Sequence, residues 1–120
     1  MDAKILVIDD EPEVACLLCE FFKMLGCETR MVNSGGAAIE AIRADHPNLV
    51  LLDLNLGKES GLEVLKQLNQ HFQNLRVYMT SGYQESEELE KAIQLGAKGN
   101  LSKPFGVDRL QAILESEQLK

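Results

Sequence analysis

The chain has 120 residues, of which 45% are hydrophobic and 26% charged, a composition typical of one globular domain with a sizeable core. Its formal net charge of −7 argues against nucleic acid as the main partner, because phosphate backbones select basic surfaces. The sequence has no apolar run of the roughly 18 residues that span a membrane, and no secretory signal at its start. We therefore expect a cytoplasmic protein without membrane insertion.

Short apolar runs alternate with longer amphipathic stretches along the chain. The runs predict strands at 4–8, 28–32, 48–53, 75–80 and 99–102, and the stretches between them predict helices at about 12–25, 34–44, 60–69, 86–95 and 107–119. Five strand–helix units in succession favour parallel strands joined by right-handed crossovers. We predict a single α/β domain over residues 1–120, a doubly wound five-stranded parallel sheet with helices on both faces, and no output domain in this chain.

Three cysteines give no even-numbered disulfide framework. Cys16 and Cys19 form a Cys-x-x-Cys pair that could indicate redox chemistry or zinc, but no second ligand pair accompanies it. Because the surrounding segment has the pattern of an apolar helix, we predict that both are buried core thiols.

Polar side chains follow four of the predicted strands at their carboxyl ends, where doubly wound sheets bind ligands. Three neighbouring carboxylates would repel one another unless a hard cation such as Mg²⁺ lay among them. A carboxylate beside Mg²⁺ and an ammonium can attack phosphorus, and a hydroxyl can stabilise the phosphoryl oxygens. The residues concerned are Asp9 and Asp10, Asp53, Thr80 and Ser81, and Lys103.

The segments ILVIDDEP, LVLLDLNLGKESGLEVL, VYMTSGY and LGAKGNLSKPF resemble the receiver domain of two-component response regulators. The resemblance spans the whole chain and implies a flavodoxin-like sheet in the strand order 2-1-3-4-5. It implies that Asp53 is the phosphoacceptor and that Lys103 pairs with the phosphoryl group. It also implies Mg²⁺, with Mn²⁺ as a substitute, bound by Asp10 and Asp53, by Asp9 mainly through water, and by the backbone carbonyl of Asn55.

The hydroxyl that responds to phosphorylation is assigned by spacing. In similar domains it lies 28 residues after the phosphoacceptor and 22 before the lysine, which Ser81 satisfies and Thr80 does not. Adjacent strand residues also face opposite sides of a sheet. We choose Ser81, with Thr80 as the alternative.

The chain departs from the family pattern at two positions. Gly57 stands where the family usually has proline, which favours a more mobile loop, and Asn100 replaces an aromatic residue that changes rotamer on activation. Tyr83 is expected to cover the phosphoryl group and influence the access of hydrolytic water. The secondary site residues are Thr80, Gly82, Tyr83, Asn100 and Pro104.

The implied function is phosphoryl transfer from the phosphohistidine of a sensor kinase or a histidine phosphotransfer protein. The switched surface would meet a downstream protein or an output domain outside this chain, and a phosphorylation-dependent homodimer stays open. One rival is a receiver-like interaction module without phosphoryl turnover, suggested by Asn100 and Gly57. Another is a hydrolase with an Asp nucleophile, which usually needs a second acid where Asn55 stands.

Overall fold

Strands and helices alternate through residues 2–82 and 86–119, which are the residues that the computed structural model describes. In chain order the elements are β1 Lys4–Ile8, α1 Pro12–Met24, β2 Glu28–Val32, α2 Gly35–Asp45, β3 Leu49–Asp53, β4 Asn55–Leu56, β5 Glu59–Ser60, α3 Gly61–His71, β6 Val77–Ser81, α4 Ser86–Gln94, β7 Gly99–Ser102 and α5 Val107–Ser116.

Five of the strands form one parallel sheet in the order β2-β1-β3-β6-β7. Numbering only these strands gives 2-1-3-4-5, so the predicted flavodoxin-like topology is confirmed. The order reverses between β1 and β3, and the carboxyl ends of these central strands meet at one edge of the sheet. Doubly wound sheets place their ligand sites at this edge.

Both faces of the sheet are covered by helices. Alternate strand residues point to opposite faces, so Leu6 and Ile8 pack in a core with α2, α3 and α4, whereas Ile5 and Val7 pack in a core with α1 and α5. The central strand β3 is buried at all five positions, which explains its uninterrupted apolar run before Asp53.

Local signals in the sequence define several helix ends. Pro12 opens α1, and Ser34 caps α2 by accepting a hydrogen bond from the backbone N–H of Ala37 at 3.2 Å. Gly26, just after α1, has a φ of +90°, which glycine adopts without strain. The fourth predicted strand is shifted and covers Val77–Ser81, and α5 ends at Ser116 rather than at residue 119.

A small hairpin follows the central strand and was not predicted. Strands β4 and β5 pair antiparallel around a two-residue turn, in which Gly57 has a φ of +70°. Helix α3 starts immediately afterwards, and a β-carbon on Gly61 would overlap the carbonyl oxygen of Asp53. The hairpin therefore lies tightly against the end of β3.

The prediction that both thiols of the Cys-x-x-Cys pair are buried is wrong for Cys16. Cys19 is buried with Ala15, Leu18 and Phe22 on the sheet-facing side of α1, whereas Cys16 is exposed and lies 3.8 Å from the sulfur of Met31. Each residue advances about 100° around a helix, so Cys16 lies about 60° from Cys19 and about 100° from Ala15, beyond the edge of the buried stripe. Among the described residues, no helix is long and apolar enough to cross a membrane.

Candidate functional site

An acidic cluster lies at the carboxyl edge of the sheet. Asp9 and Asp10 directly follow β1, and Asp53 is the last residue of β3. One carboxylate oxygen from each of these residues and from Glu11 lies within 4.8 Å of the other three. The structure thus brings together the three predicted acids and adds Glu11, which the strand-end interpretation missed although it stands next to the aspartate pair.

Asp9 is the most buried acid after Asp53, and its carboxyl is hard to ionise. Burial raises its pKa to about 6 from an ordinary 3.8, and the negative charge of Asp53 adds to the rise. The backbone N–H of Glu11 donates to Oδ1 at 2.9 Å, but no described group donates a hydrogen bond to the buried Oδ2. A buried carboxylate oxygen among three others is a donor set that suits a hard cation.

Lys103 brings a positive charge into the cluster from the loop after β7. Its Nζ lies 2.9 Å from Oδ2 of Asp53, 3.4 Å from Oε1 of Glu11 and 3.8 Å from Oδ2 of Asp9. Burial alone would lower the pKa of this amine, but the hydrogen bond to Asp53 and the three negative charges together raise it. Lys103 is therefore charged and directly neutralises Asp53. The bond between Lys103 and Pro104 is cis.

Hydrogen bonds fix the hairpin to the acidic cluster. The backbone N–H of Asn55 donates to Oδ1 of Asp53 at 3.0 Å, and the N–H of Gly57 donates to the side-chain oxygen of Asn55 at 3.1 Å. The other oxygen of Asp53 accepts from Lys103. Both carboxylate oxygens of Asp53 are therefore held, one by the hairpin and one by the lysine.

The two candidate hydroxyls occupy different positions at the end of β6. Thr80 pairs with Asp53 in the sheet register and has a buried Oγ1 without a hydrogen-bond partner among the described residues. Ser81 is buried on the opposite face as the last residue of the strand, in register with Ser102. The strand alternation therefore separates the two hydroxyls, as the sequence predicted.

The secondary residues have mixed positions. Gly82 directly follows β6 and is half-buried, while Tyr83 lies outside the described residues. Asn100 is half-buried in β7, and its side-chain amide donates a hydrogen bond to Oγ of Ser102 at 3.1 Å. Its backbone carbonyl oxygen accepts a hydrogen bond from the guanidinium of Arg109 at 2.9 Å. Position 100 thus links β7 to α5.

The fold and the carboxyl edge of the sheet define a class of protein. It is a doubly wound α/β domain in which an acidic cluster that could hold a metal ion faces a lysine. The family model of the response regulator receiver domain matches residues 5–115 of this chain. The chain belongs to this family, the phosphoacceptor signalling domains of two-component systems.

Known relatives agree with this assignment. The chain is 32% identical over 111 residues to sporulation initiation phosphotransferase F of Bacillus subtilis, covering 92% of this chain and 90% of that protein. It is 32% identical to regulatory protein AtoC of Escherichia coli, of which it covers only 24%. The crystal structure of the receiver domain of NtrX from Brucella abortus is similar with a TM-score of 0.89 and 35% identity, covering 94% of this chain and 96% of that one.

Proposed function

We propose that Asp53 is the phosphoacceptor of this receiver domain. The observation that carries the proposal is the contact between the buried carboxylate of Asp53 and the ammonium of Lys103, 2.9 Å apart inside the acidic cluster. A buried, oriented carboxylate with a fixed counter-charge is prepared to act as a nucleophile toward a phosphoryl group. An interaction module without phosphoryl turnover would not need this contact between Asp53 and Lys103.

Phosphoryl transfer would start from the phosphohistidine of a sensor kinase or a histidine phosphotransfer protein. An oxygen of Asp53 forms the new bond to phosphorus as the bond to the imidazole nitrogen breaks, and that nitrogen keeps the electron pair. Lys103 neutralises the charge that develops on the phosphoryl oxygens. Apart from promoting its own phosphorylation and slow dephosphorylation, the domain acts as a signalling element and not as an enzyme with a separate substrate.

Asp9, Asp10 and Asp53 would hold Mg²⁺ together with the backbone carbonyl of Asn55, and Mn²⁺ would substitute for it. The fit is supported by the four clustered carboxylates and by the buried Oδ2 of Asp9, which no described group hydrogen-bonds. When bound, the ion would supply charge neutralisation to the attacking carboxylate and the phosphoryl oxygens.

Phosphorylation would be transmitted by the hydroxyl of Ser81 and by Lys103. The new dianionic group draws both toward Asp53, and the region around α4, β7 and α5 changes its population of conformations. In this chain Asn100 takes the place of the usual aromatic residue on β7. A downstream protein or a covalently attached output domain would read the changed surface, with a phosphorylation-dependent homodimer as a further outcome. We expect this in the cytoplasm and without direct binding of nucleic acid by this domain.

The test uses beryllofluoride, which mimics a phosphoryl group on a carboxylate. Titration followed by NMR should show saturable binding that requires Mg²⁺ and is lost in Asp53→Asn. Lack of any response from the unaltered protein would favour the module without phosphoryl turnover. Binding that persists in Asp53→Asn would show that another group accepts the phosphoryl mimic.

A further inference from the structure

Gly57 faces the carboxylate of Asp10 across the acidic edge. A β-carbon built on Gly57 would lie 2.6 Å from Oδ2 of Asp10 and 3.7 Å from its Cγ. Nonbonded carbon and oxygen atoms do not approach so closely in a packed protein. Any residue other than glycine would therefore force either the turn or the Asp10 side chain to move.

The turn is held in place from both of its strands. On β4, Asn55 donates its backbone N–H to Asp53 and accepts from the N–H of Gly57, at 3.0 and 3.1 Å. On β5, the carboxylate of Glu59 accepts from the backbone N–H of Gly35 at the start of α2, at 3.0 Å. Moving the turn outward would break these bonds.

The Asp10 side chain is free to yield instead. Asp10 is exposed, and its carboxylate can rotate about χ1 and χ2 at little cost. A β-carbon at position 57 would therefore turn this carboxylate away from its present place beside Asp9 and Asp53.

We propose that Gly57 is a positioning residue for the cation site. Because it lacks a β-carbon, the turn packs directly against Asp10 and keeps that carboxylate in the acidic cluster. Its φ of +70° also lies far from the value near −65° that a proline ring imposes, so the usual family residue does not fit this turn. The inference rests on the proposed Mg²⁺ site and deepens it by adding a residue that binds nothing itself.

Two variants separate steric contact from backbone strain. Gly57→Ala adds a β-carbon and strains the backbone, whereas Gly57→Asn adds the same atom with a side chain that tolerates positive φ. The matched control is Gly26→Ala, because Gly26 has a φ of +90° but a β-carbon there would meet no atom within 4 Å. Should Gly57→Ala fail to fold, Gly57→Asn still tests the contact.

Mg²⁺ affinity measured by isothermal titration calorimetry is the readout. Both Gly57 variants should bind Mg²⁺ roughly threefold to tenfold more weakly than the unaltered chain, as expected when one of a few carboxylate ligands is displaced. Gly26→Ala should lose thermal stability but keep its Mg²⁺ affinity. Unchanged affinity in both Gly57 variants, or an equal loss in Gly26→Ala, would overturn the inference. Failure of the unaltered chain to bind Mg²⁺ would instead overturn the cation site proposed above.

Discussion

The ammonium nitrogen of Lys103 lies 2.9 Å from Oδ2 of Asp53, so the proposed nucleophile and its counter-charge are in direct contact before any reaction. The same nitrogen is also within 4 Å of the carboxylates of Glu11 and Asp9. Lys103 therefore occupies the position in which a cation relieves the repulsion among these acids, and it would share that task with Mg²⁺.

Replacing Lys103 by methionine should move metal binding and chemistry in opposite directions. Loss of one positive charge within about 4–5 Å makes the cluster more attractive to Mg²⁺, and we expect roughly fivefold tighter binding by calorimetry. Phosphorylation by acetyl phosphate should nevertheless become at least about tenfold slower, because the developing phosphoryl charge loses its neutralising group.

Lys66→Met is the control for that change in net charge, since Lys66 pairs only with the exposed Glu63 at 3.3 Å among its described contacts. It should alter neither quantity. A parallel loss of Mg²⁺ affinity and phosphorylation in Lys103→Met would indicate general damage to the site and contradict the proposed role.

The two hydroxyls at the end of β6 should respond differently to removal. Ser81→Ala should slow phosphorylation or change the lifetime of the phosphorylated form by about tenfold or more, as expected for a lost donor at a site of developing charge. Thr80→Val replaces a buried hydroxyl that has no described partner, so it should be neutral or stabilising by up to about 1 kcal/mol. Phosphoryl lifetimes and urea unfolding measure the two effects. A large kinetic effect of Thr80→Val with none of Ser81→Ala would reverse the assignment.

Without metal, Asp9 should destabilise the protein at neutral pH. Its pKa is raised by burial to about 6 from 3.8, so folding favours the protonated form, and stability is lost as the pH rises through this interval. In EDTA at pH 7, Asp9→Asn should therefore be more stable than the unaltered chain, by about 1–3 kcal/mol in urea unfolding. The difference should disappear near pH 4.

The control for this measurement is Glu40→Gln, which makes the same change in net charge at an exposed position of α2. Its stability difference should stay small over the whole pH range. Equal stability of Asp9→Asn and the unaltered chain at pH 7 in EDTA would contradict the account of Asp9 as a carboxylate strained by burial.

Glu117, which lies just after α5, should affect stability with the opposite pH dependence to Asp9. Its carboxylate accepts from the hydroxyl of Tyr78 at 2.7 Å and from Lys98 at 2.8 Å, and Arg76 is nearby. Burial alone would raise the pKa of Glu117, but Lys98, Tyr78 and Arg76 together lower it below the ordinary 4.5. The stability it contributes is present above about pH 4.5 and is lost as the pH falls through the lower pKa of the folded state.

Glu117→Gln should accordingly cost about 1–3 kcal/mol at pH 7 and much less in strong acid, as measured by urea unfolding at both pH values. Glu115→Gln, on the exposed side of α5, is the matched control and should show little change. An Mg²⁺ affinity that stays constant in Glu117→Gln would confirm that this network serves stability and not the site.

Much of the fold could be predicted because burial and sequence pattern coincide. The run before Asp53 is apolar at every position because β3 is covered on both faces, and the polar residues that follow each strand stand out against it. Parallel topology then brings Asp9, Asp53 and Lys103 to one edge. The three aspartates and the lysine of the site were therefore predictable from strand ends, whereas Glu11 was not.

Other features depend on contacts that have no local pattern. The hairpin of β4 and β5 has two residues per strand, too short for any periodicity, and its turn becomes recognisable only through the positive φ of Gly57. Glu11 joins the cluster because the chain bends after β1, and Cys16 is exposed because of the rotation of α1. In each case the outcome depends on the three-dimensional arrangement of the chain and not on a local sequence pattern.

The most direct test of Asp53 as phosphoacceptor is to trap the modified residue chemically. The protein is incubated with acetyl phosphate and Mg²⁺, treated with borohydride, which reduces an acyl phosphate to homoserine, and mapped by peptide mass spectrometry. We predict homoserine at position 53 that requires both acetyl phosphate and Mg²⁺, with none formed in Asp53→Asn. Homoserine at Asp9, Asp10 or elsewhere with Asp53 unmodified would contradict the account.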